Sequence, residues 1–214
     1  MRIEGGELRG RTLFTPHGNN TRPTDGRTRE MLFNSLGAFI EGARVLDLYA
    51  GSGAVGLEAL SRGAEFVVFV EQEHSAISAI RRNLKTFGLE NRAQVWVGNA
   101  RSALGKLEEN GQRFDFVFAD PPFTVPNEAQ EITKRLDSHP RLLNNVCVQN
   151  EEEDNLASPS LIVVQHSHRV ALPETHALRF KRAKRAGESA LSFFVVRAFD
   201  ELFFSENSST EQEK

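Results

Sequence analysis

Between residues 44 and 120 four apolar runs alternate with segments of helical periodicity, and no other feature constrains the possible folds as tightly. The runs Arg44–Tyr49, Phe66–Val70, Gln94–Val97 and Phe114–Ala119 read as buried strands, with helices expected near 53–62, 74–87 and 100–109. A strand followed by a helix and another strand pairs in parallel, because the helix must recross the sheet face to bring the chain back. The expected fold class is therefore α/β. Three further runs, 160–166, 177–185 and 190–199, predict more strands, the last two turned around Gly187, so that the sheet ends antiparallel. With 214 residues the chain can bury one sizeable core but not two full domains.

The rest of the chain is arranged around that unit. Residues 1–20, with Gly5, Gly6 and Gly10 among short extended pieces, predict an N-terminal β-hairpin extension; 21–204 form the main domain; the acidic 205–214 are expected to be a disordered tail. After the Arg22-Pro23-Thr24 turn a helix is expected, capped by Thr24, with Met31, Leu32, Leu36 and Phe39 at helical spacing and Gly42 near its stop. A polar helix should follow Phe123, and 149–159 read as an exposed acidic insertion. The single cysteine, Cys147, excludes an intrachain disulfide and a multi-cysteine metal site. No signal-peptide run and no membrane-length apolar stretch is present, so a cytoplasmic protein is expected.

Net charge is −3, so any surface for nucleic acid must come from local clustering. Arg2, Arg9, Arg11, Arg22, Arg27 and Arg29 crowd the N-terminal segment, and Arg179, Lys181, Arg182, Lys184 and Arg185 form a second group. RNA contact is the reading preferred for both, with plain solvated surface as the alternative, and with ion pairing or helix capping as a further alternative for Arg29 and Glu30.

Asp47 closes the first predicted strand, and Gly51, Gly53 and Gly56 follow in a loop that leads into a helix. Glycine allows a sharp turn and close approach of a ligand to the backbone, while the helix start offers free N–H groups. Glu71 stands just past the next strand, which also matches the dinucleotide fingerprint of a dehydrogenase. Two points oppose that alternative: Asp47 would repel a pyrophosphate but attract the ammonium of a methionine moiety, and little chain remains for a second catalytic domain.

The third is the run Asp120-Pro121-Pro122-Phe123, which ends the fourth strand. Fixed proline φ angles hold a rigid extended turn, so that the Pro121 carbonyl and the Asp120 carboxylate can face one acceptor amine while Phe123 stacks on its base. An aromatic amine is a poor nucleophile because its lone pair is delocalised. Two acceptors on its hydrogens localise that pair toward a methyl donor, and Asp120 stabilises the charge that develops on nitrogen. The chemistry needs no metal, and His166 and His168, without further ligands, are read as structural or surface residues rather than a zinc site. Phenylalanines outside Phe123, and Trp96, are read mostly as core.

These motifs, with Arg22-Pro-Thr24, Arg29-Glu30-x-Leu-Phe-Asn34 and Gly51-Ser-Gly53-Ala-Val-Gly-Leu-Glu-Ala-Leu-Ser-Arg62-Gly-Ala64, occur in the order found in the bacterial 16S rRNA guanine-N2 methyltransferase family, RsmD, which the chain resembles from Gly5-Gly6 to about Gly187. The resemblance implies a Rossmann-like class I fold, a seven-stranded mostly parallel sheet with its last strand antiparallel. It also implies S-adenosylmethionine as cofactor and 16S rRNA, within an assembled or partly assembled small ribosomal subunit, as the partner of a monomeric enzyme. By the same resemblance Asp47, Gly51 and Gly53 hold the methionine end, Glu71 the ribose hydroxyls, and Asn99 with the Ala100 backbone the adenine, while Arg22–Asn34 helps close the pocket. Gln165 departs from the acid that many relatives carry there, and the segment between Pro126 and Pro159 is longer and more acidic than expected. An Asp-Pro-Pro-aromatic motif serves exocyclic amines generally, so adenine-N6 methylation remains an alternative, as does a non-catalytic RNA-binding scaffold.

Overall fold

In the computed structural model, which describes residues 1–16, 26–144 and 160–197, the apolar runs become seven strands of one sheet. They are β1 Arg44–Leu48, β2 Phe66–Glu71, β3 Ala93–Val97, β4 Phe116–Ala119, β5 Leu161–Ser167, β6 Leu178–Ala186 and β7 Ser189–Val196. Their order is β3-β2-β1-β4-β5-β7-β6. β1 to β5 pair in parallel, and β7 runs antiparallel to both its neighbours. The helices are α1 Gly26–Leu36, α2 Ala54–Ser61, α3 His74–Phe87, α4 Ala100–Glu109 and α5 Glu128–Asp137.

Every residue of β4 is buried, as is all of β2 except Phe66. Strands that are apolar on both faces need cover on both, which the crossover helices supply. Val45, Phe69, Phe118 and Val163 pack with residues of α1, α2 and α3, whereas Leu46, Val68, Val117 and Val164 pack with α4 and α5. From β1 the chain winds outward to β2 and β3, then returns to β4 on the other side of β1. The winding direction therefore reverses between β1 and β4, and the crevice at their C-terminal ends is where open α/β sheets bind ligands.

The fourth strand starts at Phe116 rather than Phe114. The Asp115 carboxylate accepts from the Arg44 N–H (2.8 Å) and from Asn144 Nδ2 (2.7 Å), and Phe114 pairs with the backbone of Leu142 and Asn144 instead of β1. The N-terminal extension pairs Arg2 with Thr12 through a single antiparallel bridge, reinforced by Ile3 N–H to Arg11 O and Leu13 N–H to Met1 O, rather than through two regular strands. It is fastened to the domain from outside: buried Asn83 of α3 accepts from the Phe14 N–H at 2.8 Å and donates to its carbonyl at 2.9 Å. Thr24 with the Arg22-Pro23-Thr24 turn, Cys147, the acidic insertion and the C-terminal tail lie outside the described residues. Among the described residues no helix is long and apolar enough to cross a membrane, and no three His, Cys, Asp or Glu cluster as a metal site.

Candidate active site

Three carboxylates meet at the reversal point, one from each of three adjacent strand ends. Asp47 lies opposite Phe69 on β2 and Phe118 on β4; Glu71 is the last residue of β2; Asp120 directly follows β4. Asp47 is 2% exposed, and its Oδ2 accepts from the Gly56 N–H at 2.9 Å. Burial pushes its carboxyl well above the usual range, the Asp120 and Glu71 charges push it further, and only the Gly56 hydrogen bond opposes them. No cationic side chain figures among these influences. A cluster of carboxylates like this is suited to a positively charged ligand, and a sulfonium carrying an ammonium group fits that requirement.

The glycine loop between β1 and α2 turns at Gly51 (φ +54°) and Gly53 (φ +76°), conformations that a side chain would strain. Glu71 holds the loop: its Oε2 accepts from Gly51 N–H at 2.7 Å, while Oε1 accepts from Gln72 and Glu73 N–H at 2.7 and 2.9 Å. Gly56, the third glycine of the fingerprint, has a different role. A Cβ there would run into the Phe69 ring and sit 2.8 Å from Val67 Cγ1, so it allows α2 to lie close on β2. Asn99 caps α4, accepting from Arg101 N–H at 2.9 Å, and places the Ala100 N–H in the orphan first turn, facing the same sheet edge.

Beyond Asp120 the chain turns outward, with Pro121 buried, Pro122 exposed and Phe123 47% exposed. A cleft of about 280 Å³ runs alongside, lined by Pro121, Phe123, Val125, His166 and Val170 among others. His166 is structural: its Nε2 lies 2.8 Å from Ser192 Oγ and its Nδ1 2.9 Å from Ser167 O, and burial lowers its basicity.

One network was not foreseen from the sequence. Tyr49, the sole tyrosine, follows β1 at φ +59° and donates to Glu128 Oε1 at 2.7 Å; Arg101 pairs with Glu128 Oε2 at 3.2 Å. Glu128 opens α5 and is 5% exposed. Its carboxylate thus ties together the glycine loop, the start of α4 and the segment that carries Asp120–Phe123. Burial, and then the Glu128 hydrogen bond and charge, raise the Tyr49 hydroxyl far above its usual value. The only available signal was a tyrosine embedded in a glycine loop.

Two expectations are corrected. Arg29 does not belong to a surface cluster: it is 1% exposed, donates to Arg2 O at 2.9 Å and faces Glu58 at 3.4 Å. Its helix places it on the core-facing side of α1, so it fastens the extension rather than RNA. Phe180 is not core but 54% exposed, because β6 is the outermost strand. Gln165, at the end of β5, is 6% exposed with an Oε1 that has no hydrogen-bond partner among the described residues.

The doubly wound sheet and the strand-end carboxylates at its reversal point define a Rossmann-like class I methyltransferase fold. The SAM-dependent methyltransferase of Agrobacterium tumefaciens shares that fold (TM-score 0.55, 15% identity, 85% of this chain and 64% of that one). The family model described as "Conserved hypothetical protein 95" matches residues 1–195, and the chain belongs to this family, the RsmD family that its motifs resemble. It is 35% identical over 189 residues to the ribosomal RNA small subunit methyltransferase D of Escherichia coli K12, covering 88% of this chain and 93% of that protein. A solved hypothetical protein of Thermus thermophilus superposes with TM-score 0.72 at 30% identity, over 92% of this chain and 99% of that one.

Proposed function

We propose that this chain is a methyltransferase that uses S-adenosylmethionine to methylate the exocyclic N2 amine of a guanine in 16S rRNA. The observation that carries the reading is the rigid Asp120-Pro121-Pro122-Phe123 turn, set beside a cluster of buried carboxylates that calls for a cation. The similarity to a small-subunit rRNA methyltransferase over nearly the whole chain supports rRNA as the target class. A cytoplasmic monomer acting on an assembled or partly assembled small subunit fits this role.

S-adenosylmethionine, when bound, supplies a methyl group on a sulfonium, a good leaving group. Asp47, with the Gly51–Gly53 loop, would hold the methionine end of the cofactor. Glu71 would hold the ribose through the one lone pair on Oε2 that its three backbone donors leave free, and Asn99 with the Ala100 N–H would contact the adenine. At the acceptor, Phe123 stacks on the base, and the Asp120 carboxylate and Pro121 carbonyl accept the two amine hydrogens. This turns the nitrogen lone pair toward the methyl carbon. As the N–C bond formed and the S–CH3 bond broke, with its electron pair left on sulfur in a neutral thioether, Asp120 would stabilise the positive nitrogen and accept its proton. A base in a helix cannot reach the sheet edge, so the target must leave its stack, at a cost of a few kcal/mol.

The test is methylation of unmodified small ribosomal subunits with labelled cofactor, followed by digestion and mass spectrometry of the nucleosides. N2-methylguanosine is expected. N6-methyladenosine would retain the chemistry and overturn the guanine assignment. No transfer to subunits, naked rRNA or DNA would favour a scaffold without catalysis.

A further inference from the structure

The cleft beside Phe123 is bounded by His166, and a second, larger cleft of about 440 Å³ begins on the same side chain. Its floor is β7 and β6 and its rim is the loop 172–175. Phe180 stands in its wall, half exposed and held edge-to-face on Phe194, with ring centroids 5.7 Å apart at 72°. Arg197 also lines it, with a buried Nε that has no hydrogen-bond partner among the described residues; Glu174 is the one acid in the lining.

The edge strand beside this cleft is strongly basic. Among the described residues Lys181, Arg182, Lys184 and Arg185 have no anionic partner: Lys184 donates to Ser35 Oγ, Arg185 to Gly187 O, and Arg182 lies over the Phe193 ring. Because β7 is antiparallel to both β5 and β6, β6 points the same way as β4. Arg185, near its C-terminal end, therefore emerges at the edge where Asp120 lies, three strand spacings or roughly 14 Å away. That is the reach of a few nucleotides.

We propose that this cleft is a second nucleotide subsite, in which an unpaired base flanking the target stacks on Phe180 while Lys181 and Arg185 hold backbone phosphates. Arg182 and Lys184 face the α1 side of the sheet, which leaves Lys181 and Arg185 as the cations on the strand beside the exposed Phe180 ring, without an anionic partner among the described residues. An aromatic ring flanked by such cations is the chemistry that binds single-stranded nucleic acid, and the overall charge of −3 means that these cations are not merely part of a basic surface. Cations on an edge strand also deter pairing with another chain, but that role gives no reason for an exposed phenylalanine above a cavity. The subsite rests on the RNA-substrate reading and adds to it the path of the strand: from Phe123, past His166, to β6.

The test uses the full chain with Phe180→Ala and with the pair Lys181→Glu/Arg185→Glu, on unmodified small ribosomal subunits. Phe180→Ala is expected to raise KM for subunits about tenfold while kcat and the cofactor dissociation constant stay at wild-type values. The double charge reversal is expected to make the slope of log binding constant against log salt shallower by about 1.4, read by filter retention independently of methyl transfer. Wild-type KM and salt slope in both variants would overturn the subsite, and the appearance of larger oligomers alongside them would assign β6 to edge protection. If the wild-type protein methylates a different nucleic acid, the same constants are read on that one, so that the target assignment and the subsite fall separately.

Discussion

Asp47 is a buried carboxylate whose protonation the fold perturbs strongly. Burial and two neighbouring carboxylates keep its proton bound at pH values where an exposed aspartate has lost it. A cationic ligand favours the ionised form, so cofactor binding must expel that proton wherever it is still held. The affinity for S-adenosylmethionine is therefore expected to tighten as pH rises from about 5 toward the raised value and to level off above it. Calorimetric titration across that range checks this, and Asp47→Asn, which keeps an acceptor for the Gly56 N–H, should give a flat profile. Asp120 contributes later in the reaction. Asp120→Ala is expected to lower kcat by roughly 10² to 10⁴ with little change in cofactor affinity, and a variant with full activity would remove it from the chemistry.

Among the elements, the segment 120–128 is held at both ends, by β4 and by Glu128. Tyr49→Phe removes one charge-assisted hydrogen bond and should cost about 1.5–3 kcal/mol in urea unfolding. Because the same bond fixes the catalytic turn relative to the glycine loop, kcat should fall as well; an unchanged kcat in a destabilised protein would show that the link is purely structural. The strands were legible in advance because β4 is apolar throughout and β2 is apolar up to its terminal Glu71. The strand-end positions of Asp47, Glu71 and Asp120 were legible for the same reason. The Tyr49–Glu128–Arg101 link was not, since its members are 27 or more positions apart and meet only because the winding reverses at β1 and β4. Gly56 matches the packing glycine of the fingerprint and faces Phe69, so Gly56→Ala should cost about 1–3 kcal/mol by overpacking while the cofactor, once bound, keeps near wild-type affinity.

For the whole molecule, the question is what joins the N-terminal extension to the methyltransferase sheet. The extension's own pairing amounts to one bridge, but it buries Ile3 and Leu13 in the core beside α1 and α2. A buried polar knot adds to that apolar contact: Arg29 of α1 reaches the Arg2 carbonyl, Glu4 at 3.5 Å and Glu58 of α2, and Arg62 closes on Glu58 at 2.8 Å. Glu58 is fully buried, so losing Arg29 leaves a carboxylate that only the partly exposed Arg62 still neutralises. Replacing one member of such a pair costs more than replacing both, because the cost lies in the orphaned charge rather than in the lost attraction. Arg29→Leu should therefore destabilise the protein by about 3 kcal/mol, and Arg29→Leu/Glu58→Leu by less, both measured by urea unfolding. An Arg29 that instead served RNA at the surface would give the opposite pattern, with stability unchanged and subunit binding weakened.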